Sequence, residues 1–314
     1  MGGLVMEKIK QIVSYTLIIL LLPYILTIFL SGPSVATGAK VDDTYVRVKV
    51  DEEQEMELSL EEYGIGILAK DIPVEYEEEA LKAQAVLVRT SLYKNIHEQG
   101  TDVVLTEEFW SQEDMEKAWG VGQYSKNYRR LKRAWEDTRE QVLLYEDALA
   151  TTSFFRLSNG STRDGKETLG KEYPYLKIVD CPADIESVEQ IQTTTIDDID
   201  AEVKQCDTAG YVLKVRVGDE IVSGEEFRQN YHLASSCFSL QSYEGKLRIT
   251  TRGVGHGVGM SQYTANEMAA AGSSYEEILE YFFAGTSLRE VADIVKENSE
   301  SKQDNIVSKN FYEI

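Results

Sequence analysis

The chain has 314 residues, of which 42% are hydrophobic, so it is long enough to build a substantial apolar core without disulfide bonds. Its 54 acidic residues outnumber its 32 basic residues and give a formal net charge of -22. That charge has the wrong sign for binding a phosphate backbone, which makes nucleic acid a poor partner. An anionic polymer would have to bind at a locally neutral or basic cleft.

The segment 12–30 is apolar and uncharged, and it approaches the length of about 20 residues that a membrane-spanning helix requires. Two lysines precede it and two aspartates follow it, a distribution that places the amino end in the cytoplasm and the rest of the chain outside. We therefore predict a cytoplasmic end at 1–11, a single transmembrane anchor at 12–30, and a tether at 31–43. The alternative is a cleaved signal peptide, although the apolar run is long for one.

The cysteines and histidines show none of the short paired spacings of a zinc site. A disulfide between Cys181 and Cys206 is possible in an oxidising compartment, and Cys237 would then stay unpaired. The three histidines are far apart in the sequence. We therefore predict neither a metal centre nor another cofactor.

Beyond the tether, strand and helix signals mix without the strict alternation of a doubly wound sheet. Strand patterns occur at 45–50, 142–145, 148–155, 211–217 and 247–251, and helical patterns at 63–68 and 110–135. The two strands at 142–155 are predicted to turn at Glu146-Asp147. The mixture predicts an α+β fold in one extracytoplasmic domain, 44–290, followed by a polar tail at 291–314.

A helix is predicted to begin shortly after Pro73, because an early proline and acidic residues in the first turn are typical of a helix start. Glu77, Glu78 and Glu79 all suit such a first turn. Their simplest interpretation is therefore that they stabilise the positive end of the helix dipole.

Helical geometry distinguishes Glu79 from its neighbours. Glu78 lies one turn before Lys82 and on the stripe of Arg89, which predicts a solvated, ion-paired surface residue. The stripe of Glu79 contains only small or medium side chains, namely those of Ala83, Val86 and Thr90. Its carboxylate is therefore predicted to face a low and partly apolar strip, a setting that suits a proton-donating catalyst.

Residues 252–263 carry glycine at four alternating positions, which indicates that a ligand or another backbone comes very close. The spacing does not fit a dinucleotide-binding loop. His256, Ser261 and Gln262 supply polar groups that could hydrogen-bond a sugar or acetamido group, although His256 could equally be a structural histidine bonded to the backbone. Ser261 is also a predicted helix N-cap, and a capping box at Ser274 starts the next helix.

Several motifs follow one another in a characteristic order. They are Glu79-Ala-Leu-Lys-Ala-Gln-Ala, Arg89-Thr90, Ser158-Asn159-Gly160 with Thr162, Tyr173-Pro-Tyr-Leu, Ser223-Gly-Glu-Glu-Phe-Arg, Gly255-His-Gly-Val-Gly-Met-Ser-Gln-Tyr and Phe282-Phe-Ala-Gly-Thr. Together they resemble the stage II sporulation protein D family, which also contains the amidase-enhancer proteins of cell-wall lytic systems. The resemblance extends over about 61–288, nearly all of the predicted extracytoplasmic part.

The resemblance implies a lytic transglycosylase. Anchored family members cut peptidoglycan glycan strands that have lost their stem peptides, between N-acetylmuramic acid and N-acetylglucosamine, and leave a 1,6-anhydro end. Glu79 is then the single catalytic acid and base. The implied substrate-binding residues are Tyr76, Arg89, Ser158, Asn159, His256, Ser261, Gln262 and Tyr263.

The resemblance also implies a setting and partners. The protein would be a single-pass protein of the cell membrane, with its catalytic domain outside the cytoplasm and in the engulfing mother-cell membrane of a sporulating cell. Its partners would be glycan strands and the stage II sporulation proteins P and M. The alternative within the same family is a noncatalytic peptidoglycan-binding enhancer of a cell-wall amidase.

Three positions depart from the common family pattern. Asp71-Ile-Pro replaces Glu-Met-Pro, Tyr76 replaces a tryptophan and could alter stacking on a sugar, and Thr264 replaces a glycine. Some relatives bind zinc through closely spaced cysteine and histidine, whereas the corresponding region before residue 145 contains only His97. The resemblance therefore implies a zinc-free member.

Overall fold

The structure of the protein, a computed structural model, describes residues 45–50, 54–100, 103–138, 141–170 and 172–291. Its helices are α1 (Leu60–Asp71), α2 (Glu78–Gln99), α3 (Gln112–Trp119), α4 (Val121–Asp137), α5 (Gly165–Leu169), α6 (Gly224–Asn230), α7 (Gln262–Ala270) and α8 (Tyr275–Phe282), with a 3-10 helix at Pro182–Glu186. Its strands are β1 (Tyr45–Lys49), β2 (Glu55–Ser59), β3 (Val104–Leu105), β4 (Gln141–Tyr145), β5 (Ala148–Leu149), β6 (Phe154–Phe155), β7 (Ile191–Asp197), β8 (Ala201–Cys206), β9 (Val212–Val217), β10 (Glu220–Ser223), β11 (Phe238–Tyr243), β12 (Lys246–Arg252), β13 (Met260–Ser261) and β14 (Ser287–Glu290).

The strands form several small sheets. β2-β1-β3 combines an antiparallel and a parallel pair, β14-β4-β5 is antiparallel, and β13 pairs with β6 in parallel. Two antiparallel sheets, β10-β9-β8 and β11-β12-β7, make up most of the chain between residues 191 and 252. This mixture of helices and separate sheets agrees with the α+β prediction for this part of the chain.

The membrane prediction concerns other residues. Within the ranges given above, no helix combines the length and the apolar character needed to cross a bilayer. The predicted cytoplasmic end at 1–11, anchor at 12–30 and tether at 31–43 lie outside the described residues, as does the tail from residue 292 onwards.

Helix α2 is buried between two apolar clusters. Leu81, Ala85 and Val88 pack with α1 and α4 on one side, whereas Ala83 and Val86 pack with α7 and α8 on the other. Glu78 is exposed and pairs with Lys82 as predicted, but Ala85 and Arg89, which share its stripe, are buried. A helix enclosed from two sides has only its ends left for solvent.

Arg89 shows the consequence of this enclosure. Its side chain is 1% exposed, and its guanidinium donates hydrogen bonds to the Trp135 carbonyl at 2.7 Å and the Thr138 hydroxyl at 2.9 Å. It also stacks on the Trp135 ring at 4.1 Å and donates to the Gln141 carbonyl at 3.2 Å. Arg89 thus joins the end of α4 to the start of β4 from inside the core.

The structure confirms the predicted turn at Glu146-Asp147 and the predicted helix caps. Glu146 and Asp147 have positive φ angles of 48° and 63° and form the predicted turn between β4 and β5. Ser261 and Ser274 cap α7 and α8 as predicted. The helical pattern at 110–135 is two helices rather than one, because Gly120 adopts a φ of 79° between them.

The alternating glycines allow close approach of the chain to itself. A Cβ atom on Gly259 would lie 2.0 Å from the Ser153 carbonyl oxygen, and one on Gly257 would lie 2.5 Å from the Tyr211 ring. Both glycines also have positive φ angles, which disfavour other residues. The neighbour is another stretch of backbone at Gly259, as one of the two predicted reasons requires, and a buried side chain at Gly257; neither position faces a ligand surface.

Asp184 connects the Ser158 turn to helix α7. Its side chain is 0% exposed, and its Oδ2 atom accepts hydrogen bonds from the Ser158 N–H at 2.7 Å and the Ser261 hydroxyl at 2.8 Å. Its Oδ1 atom accepts a third from the Thr264 hydroxyl at 2.7 Å. Thr264, one of the departures from the family pattern, therefore helps to satisfy a buried carboxylate.

We expect Asp184→Ala to lower the free energy of unfolding by about 3 to 5 kcal/mol, because three buried donors lose their acceptor. Urea denaturation of the full-length protein measures this loss. The matched control is Asp180→Ala, an exposed aspartate four residues earlier, for which a change within about 0.5 kcal/mol is expected. Equal stabilities of the two variants would contradict the role of Asp184.

A pocket of about 310 Å³ beside α1 contains a second unusual carboxyl group, that of Asp71. Apolar side chains line much of this pocket, including Ile67, Val88 and Phe154. Burial raises the pKa of Asp71 to about 6, and Glu108 adds to the increase while Lys70 opposes it. The folded protein therefore holds the Asp71 proton more tightly than the unfolded chain does.

Protonated Asp71 should therefore contribute fully to the free energy of unfolding below about pH 4. This contribution should be lost as the pH rises through about 6. We expect Asp71→Asn to increase the free energy of unfolding at pH 7 by about 1 to 3 kcal/mol and to have no effect near pH 3.5. Denaturation curves at the two pH values test this. Asp219→Asn in an exposed turn is the control, and a pH-independent effect of Asp71→Asn would contradict the explanation.

Candidate functional site

Glu79 lies in the first turn of α2, where its carboxylate meets two hydrogen-bond donors. Its Oε1 atom accepts from the Lys82 ammonium at 2.9 Å, and its Oε2 atom accepts from the Tyr275 N–H at 2.9 Å. Tyr275 is the first residue of α8, so this N–H is one of the free donors at a helix N-terminus. The carboxylate is thus fixed in direction while its side chain remains 32% exposed.

Lys82 is the centre of an acidic cluster. Besides Glu79, its ammonium lies 3.5 Å from a carboxylate oxygen of Glu78 and 3.5 Å from one of Asp137, and its side chain is only 15% exposed. Burial alone would lower the pKa of Lys82, but the hydrogen bond and charge of Glu79, with the other carboxylates, outweigh burial and raise the pKa. Lys82 is therefore a permanent cation beside Glu79.

Tyr76, Arg156 and Tyr263 form a second group near the start of α2. The Arg156 guanidinium lies 5.5 Å from the Tyr76 ring centroid, and the Arg156 carbonyl accepts a hydrogen bond from the Tyr263 N–H at 3.1 Å. Burial raises the pKa of Tyr76 to about 12, so its phenol is protonated at neutral pH. Tyr76 and Tyr263 are both partly exposed and remain candidates for contacting a sugar.

Helix α7 fixes the start of α2. The Asn266 side-chain oxygen accepts from the Glu77 N–H at 2.8 Å. The Gln262 amide donates to the Asp71 carbonyl at 2.9 Å and to the Gln84 side-chain oxygen at 3.3 Å. Gln262 is buried, so its role is to join α1, α2 and α7 rather than to contact a substrate.

Four more of the predicted substrate-binding residues are buried or hydrogen-bonded to other parts of the protein. Arg89, Ser158 and Ser261 are buried, and the last two bind Asp184, which leaves no surface on these side chains for a polymer. Asn159 is partly exposed, but its amide donates to the Ala209 carbonyl at 2.7 Å. These positions correct the prediction that the side chains of Arg89, Ser158, Asn159 and Ser261 bind substrate, because their polar groups are buried or bonded within the protein.

His256 also has backbone partners. Its Nδ1 atom accepts from the Val258 N–H at 3.1 Å, and its ring packs against Phe155. Burial lowers the pKa of His256, so the imidazole is neutral at neutral pH. The alternative interpretation of His256 as a structural histidine agrees with this environment.

The structure places three residues that were not predicted as site residues around the start of α2, namely Lys82, Tyr275 and Arg156. The spacing of Lys82 three residues after Glu79 could have indicated its contact. No sequence signal places the Tyr275 N–H against Glu79, because these residues are 196 positions apart.

Metal ligands were not predicted, and within the described ranges no group of three or more histidine, cysteine, aspartate or glutamate side chains is arranged to hold a metal ion. Cys181, Cys206 and Cys237 are all free, so the possible disulfide between Cys181 and Cys206 is not formed.

Known proteins are similar to this chain over much of its length. A family model described as "Stage II sporulation protein" matches residues 50–145, which include Glu79. Stage II sporulation protein D of Bacillus amyloliquefaciens is 31% identical over 258 residues, which cover 74% of this chain and 75% of that protein. Its counterpart of the same name in Bacillus subtilis strain 168 is 30% identical with the same coverage.

A more distant match has a different name. The protein named Amidase enhancer in Bacillus subtilis strain 168 is 24% identical over 292 residues, which cover 71% of this chain and 40% of that protein. The more similar relatives match over three quarters of their own length and carry the family's name. The chain therefore belongs to the stage II sporulation protein D family.

Proposed function

We propose that this protein is a lytic transglycosylase that cuts peptidoglycan glycan strands lacking stem peptides, with Glu79 as its catalytic residue. The observation that carries the proposal is the environment of Glu79. Its carboxylate is accessible, held in one direction by Lys82 and the Tyr275 N–H, and placed on a helix enclosed by two apolar clusters. A rigidly mounted, accessible carboxylate is what acid–base catalysis on a polymer needs.

The reaction needs one carboxyl group. Protonated Glu79 donates its proton to the oxygen that joins C1 of N-acetylmuramic acid to N-acetylglucosamine, and the C1–O bond breaks. The Glu79 carboxylate then removes the proton from the C6 hydroxyl of the muramic acid, whose oxygen bonds to C1. The products are a 1,6-anhydro end and a free hydroxyl on the N-acetylglucosamine, and no water is consumed.

Lys82 and the Tyr275 N–H suit the second half of this reaction. Both donate hydrogen bonds to the carboxylate and stabilise its negative charge after the proton has left. The first half requires a carboxyl group that keeps its proton, which a glycan can favour by excluding water from the cleft.

The proposed setting is the membrane of a sporulating cell. Family membership and the names of the two similar Bacillus proteins support a role in sporulation, and the apolar segment 12–30 supports a single-pass anchor with the folded part outside the cytoplasm. The resemblance to anchored family members supports the engulfing mother-cell membrane as the site of action. It also supports stage II sporulation proteins P and M as partners.

A second candidate function is noncatalytic enhancement of a cell-wall amidase. The similarity to the protein named Amidase enhancer favours it. In that case the cleft would bind glycan, and the partner amidase would perform the hydrolysis. The two functions differ in whether this protein alone changes the glycan.

The test is digestion of stripped glycan by full-length protein, followed by mass spectrometry of the products. We expect 1,6-anhydro ends from the wild type and a rate loss of about 10² to 10⁴-fold for Glu79→Gln, because the amide cannot transfer the proton. Glu77→Gln, two residues earlier with an exposed side chain, is the control and should retain activity. Reducing ends would contradict transglycosylation, and amidase stimulation without cleavage would establish the enhancer instead.

A separate prediction concerns Lys82. We expect Lys82→Met to lower kcat by about tenfold or more with little change in KM, because Glu79 loses a partner that sets its direction. Lys82→Arg should restore part of the rate.

Lys94→Met is the matched control for Lys82→Met, because Lys94 lies on the same helix and also pairs with a glutamate, Glu98. Its kcat should match that of the wild type. A Lys82→Met enzyme with an unchanged kcat would show that Lys82 does not act on Glu79.

A further inference from the structure

Two arginines converge on Tyr76, three residues before Glu79. The Arg156 guanidinium lies 5.5 Å from the Tyr76 ring centroid, and an Arg130 side-chain nitrogen donates to the Tyr76 carbonyl at 2.7 Å. The chain as a whole has a formal net charge of -22, and these two guanidinium groups bring positive charge to this part of it. An acidic protein needs such local cations to accept an anionic polymer.

Arg156 already holds a carboxylate, that of Glu189. An Arg156 side-chain nitrogen lies 3.0 Å from Glu189 Oε1, and the two side chains are 33% and 43% exposed. Ion pairs this exposed contribute little to stability, so a ligand carboxylate can replace Glu189 at small cost. The guanidinium fork can bind two carboxylate oxygens, whereas Glu189 engages it through one.

Arg156 is also within reach of a glycan at Glu79. Tyr76 and Glu79 are three residues apart, so their Cα atoms are separated by at most about 11 Å. That is comparable to the length of a disaccharide. The Tyr76 ring, 5.5 Å from the guanidinium, is itself partly exposed.

We propose that Arg156 binds the free lactyl carboxylate of N-acetylmuramic acid and that Glu189 occupies this position when no glycan is bound. The proposal rests on the proposed function, because it concerns the same substrate. Loss of the stem peptide converts the lactyl amide into a carboxylate, so a guanidinium at this place selects stripped strands over peptide-bearing ones. Arg156 is then a specificity-determining residue rather than a catalytic one.

Lys82, the cation in contact with Glu79, is a poorer candidate for this role. Three carboxylates already surround its ammonium at 2.9 to 3.5 Å, and its side chain is 15% exposed. An additional anion there would meet a net negative cluster. Arg156 faces a single, replaceable carboxylate instead.

The test measures binding of full-length protein, with Glu79→Gln introduced to prevent cleavage, to two forms of the same glycan. One form is stripped glycan with free lactyl carboxylates, and the other is that glycan after chemical amidation of those carboxylates. We expect Arg156→Gln to weaken binding of the charged form by about tenfold and to leave binding of the amidated form unchanged.

Two further variants separate recognition from structural damage. Arg216→Gln removes a surface arginine of similar exposure, 28%, that pairs with Asp200, and it should not change either affinity. Glu189→Gln should strengthen binding of the charged glycan by a few fold, because it removes the competing carboxylate. A structural role of the Arg156–Glu189 pair would instead make both variants bind less tightly.

Equal weakening of both glycan forms by Arg156→Gln would overturn the proposal, as would weaker binding by Glu189→Gln. The proposed function fails separately, through the absence of anhydro products from the wild type. In that case an Arg156-dependent preference for the charged glycan would still support carboxylate recognition. Conversely, anhydro products together with equal affinity for both glycan forms would refute the role of Arg156 alone.

Discussion

The buried carboxylate of Asp184 holds together the parts of the chain on which the site depends. It accepts hydrogen bonds from the Ser158 turn and from Ser261 and Thr264 at the start of α7. Helix α7 in turn fixes the start of α2, because Asn266 accepts from the Glu77 N–H. A carboxylate with no exposed surface must be fully hydrogen-bonded, so these segments can take only a few arrangements.

Rigidity at the start of α2 fixes the position of the Glu79 carboxylate. Glu79 follows Glu77 by two residues and is held from opposite sides by Lys82 and the Tyr275 N–H. Because α2 is enclosed by two apolar clusters, the helix cannot tilt without disturbing both. The carboxylate is therefore placed by the packing of α2 along its length as well as by its immediate donors.

The two cationic groups near Glu79 differ in what they offer a ligand. Lys82 is mostly buried and already shared among Glu78, Glu79 and Asp137, so its charge acts on these three carboxylates. Arg156 is more exposed and exchanges its partner more easily. In an acidic protein, this division would allow one cation to assist chemistry and the other to recognise an anionic strand.

The sequence by itself determined the features that depend on neighbours along the chain. Helical phase distinguished Glu79, cap chemistry located Ser261 and Ser274, and the alternating glycines showed that something approaches the backbone closely. Only the tertiary structure decided what approaches: the chain itself covers Gly257 and Gly259, and burial turns Arg89, Ser261 and Gln262 into structural residues. The reason is that these outcomes depend on contacts between distant residues, such as the 196 positions that separate Glu79 from the Tyr275 N–H, and no local pattern encodes them.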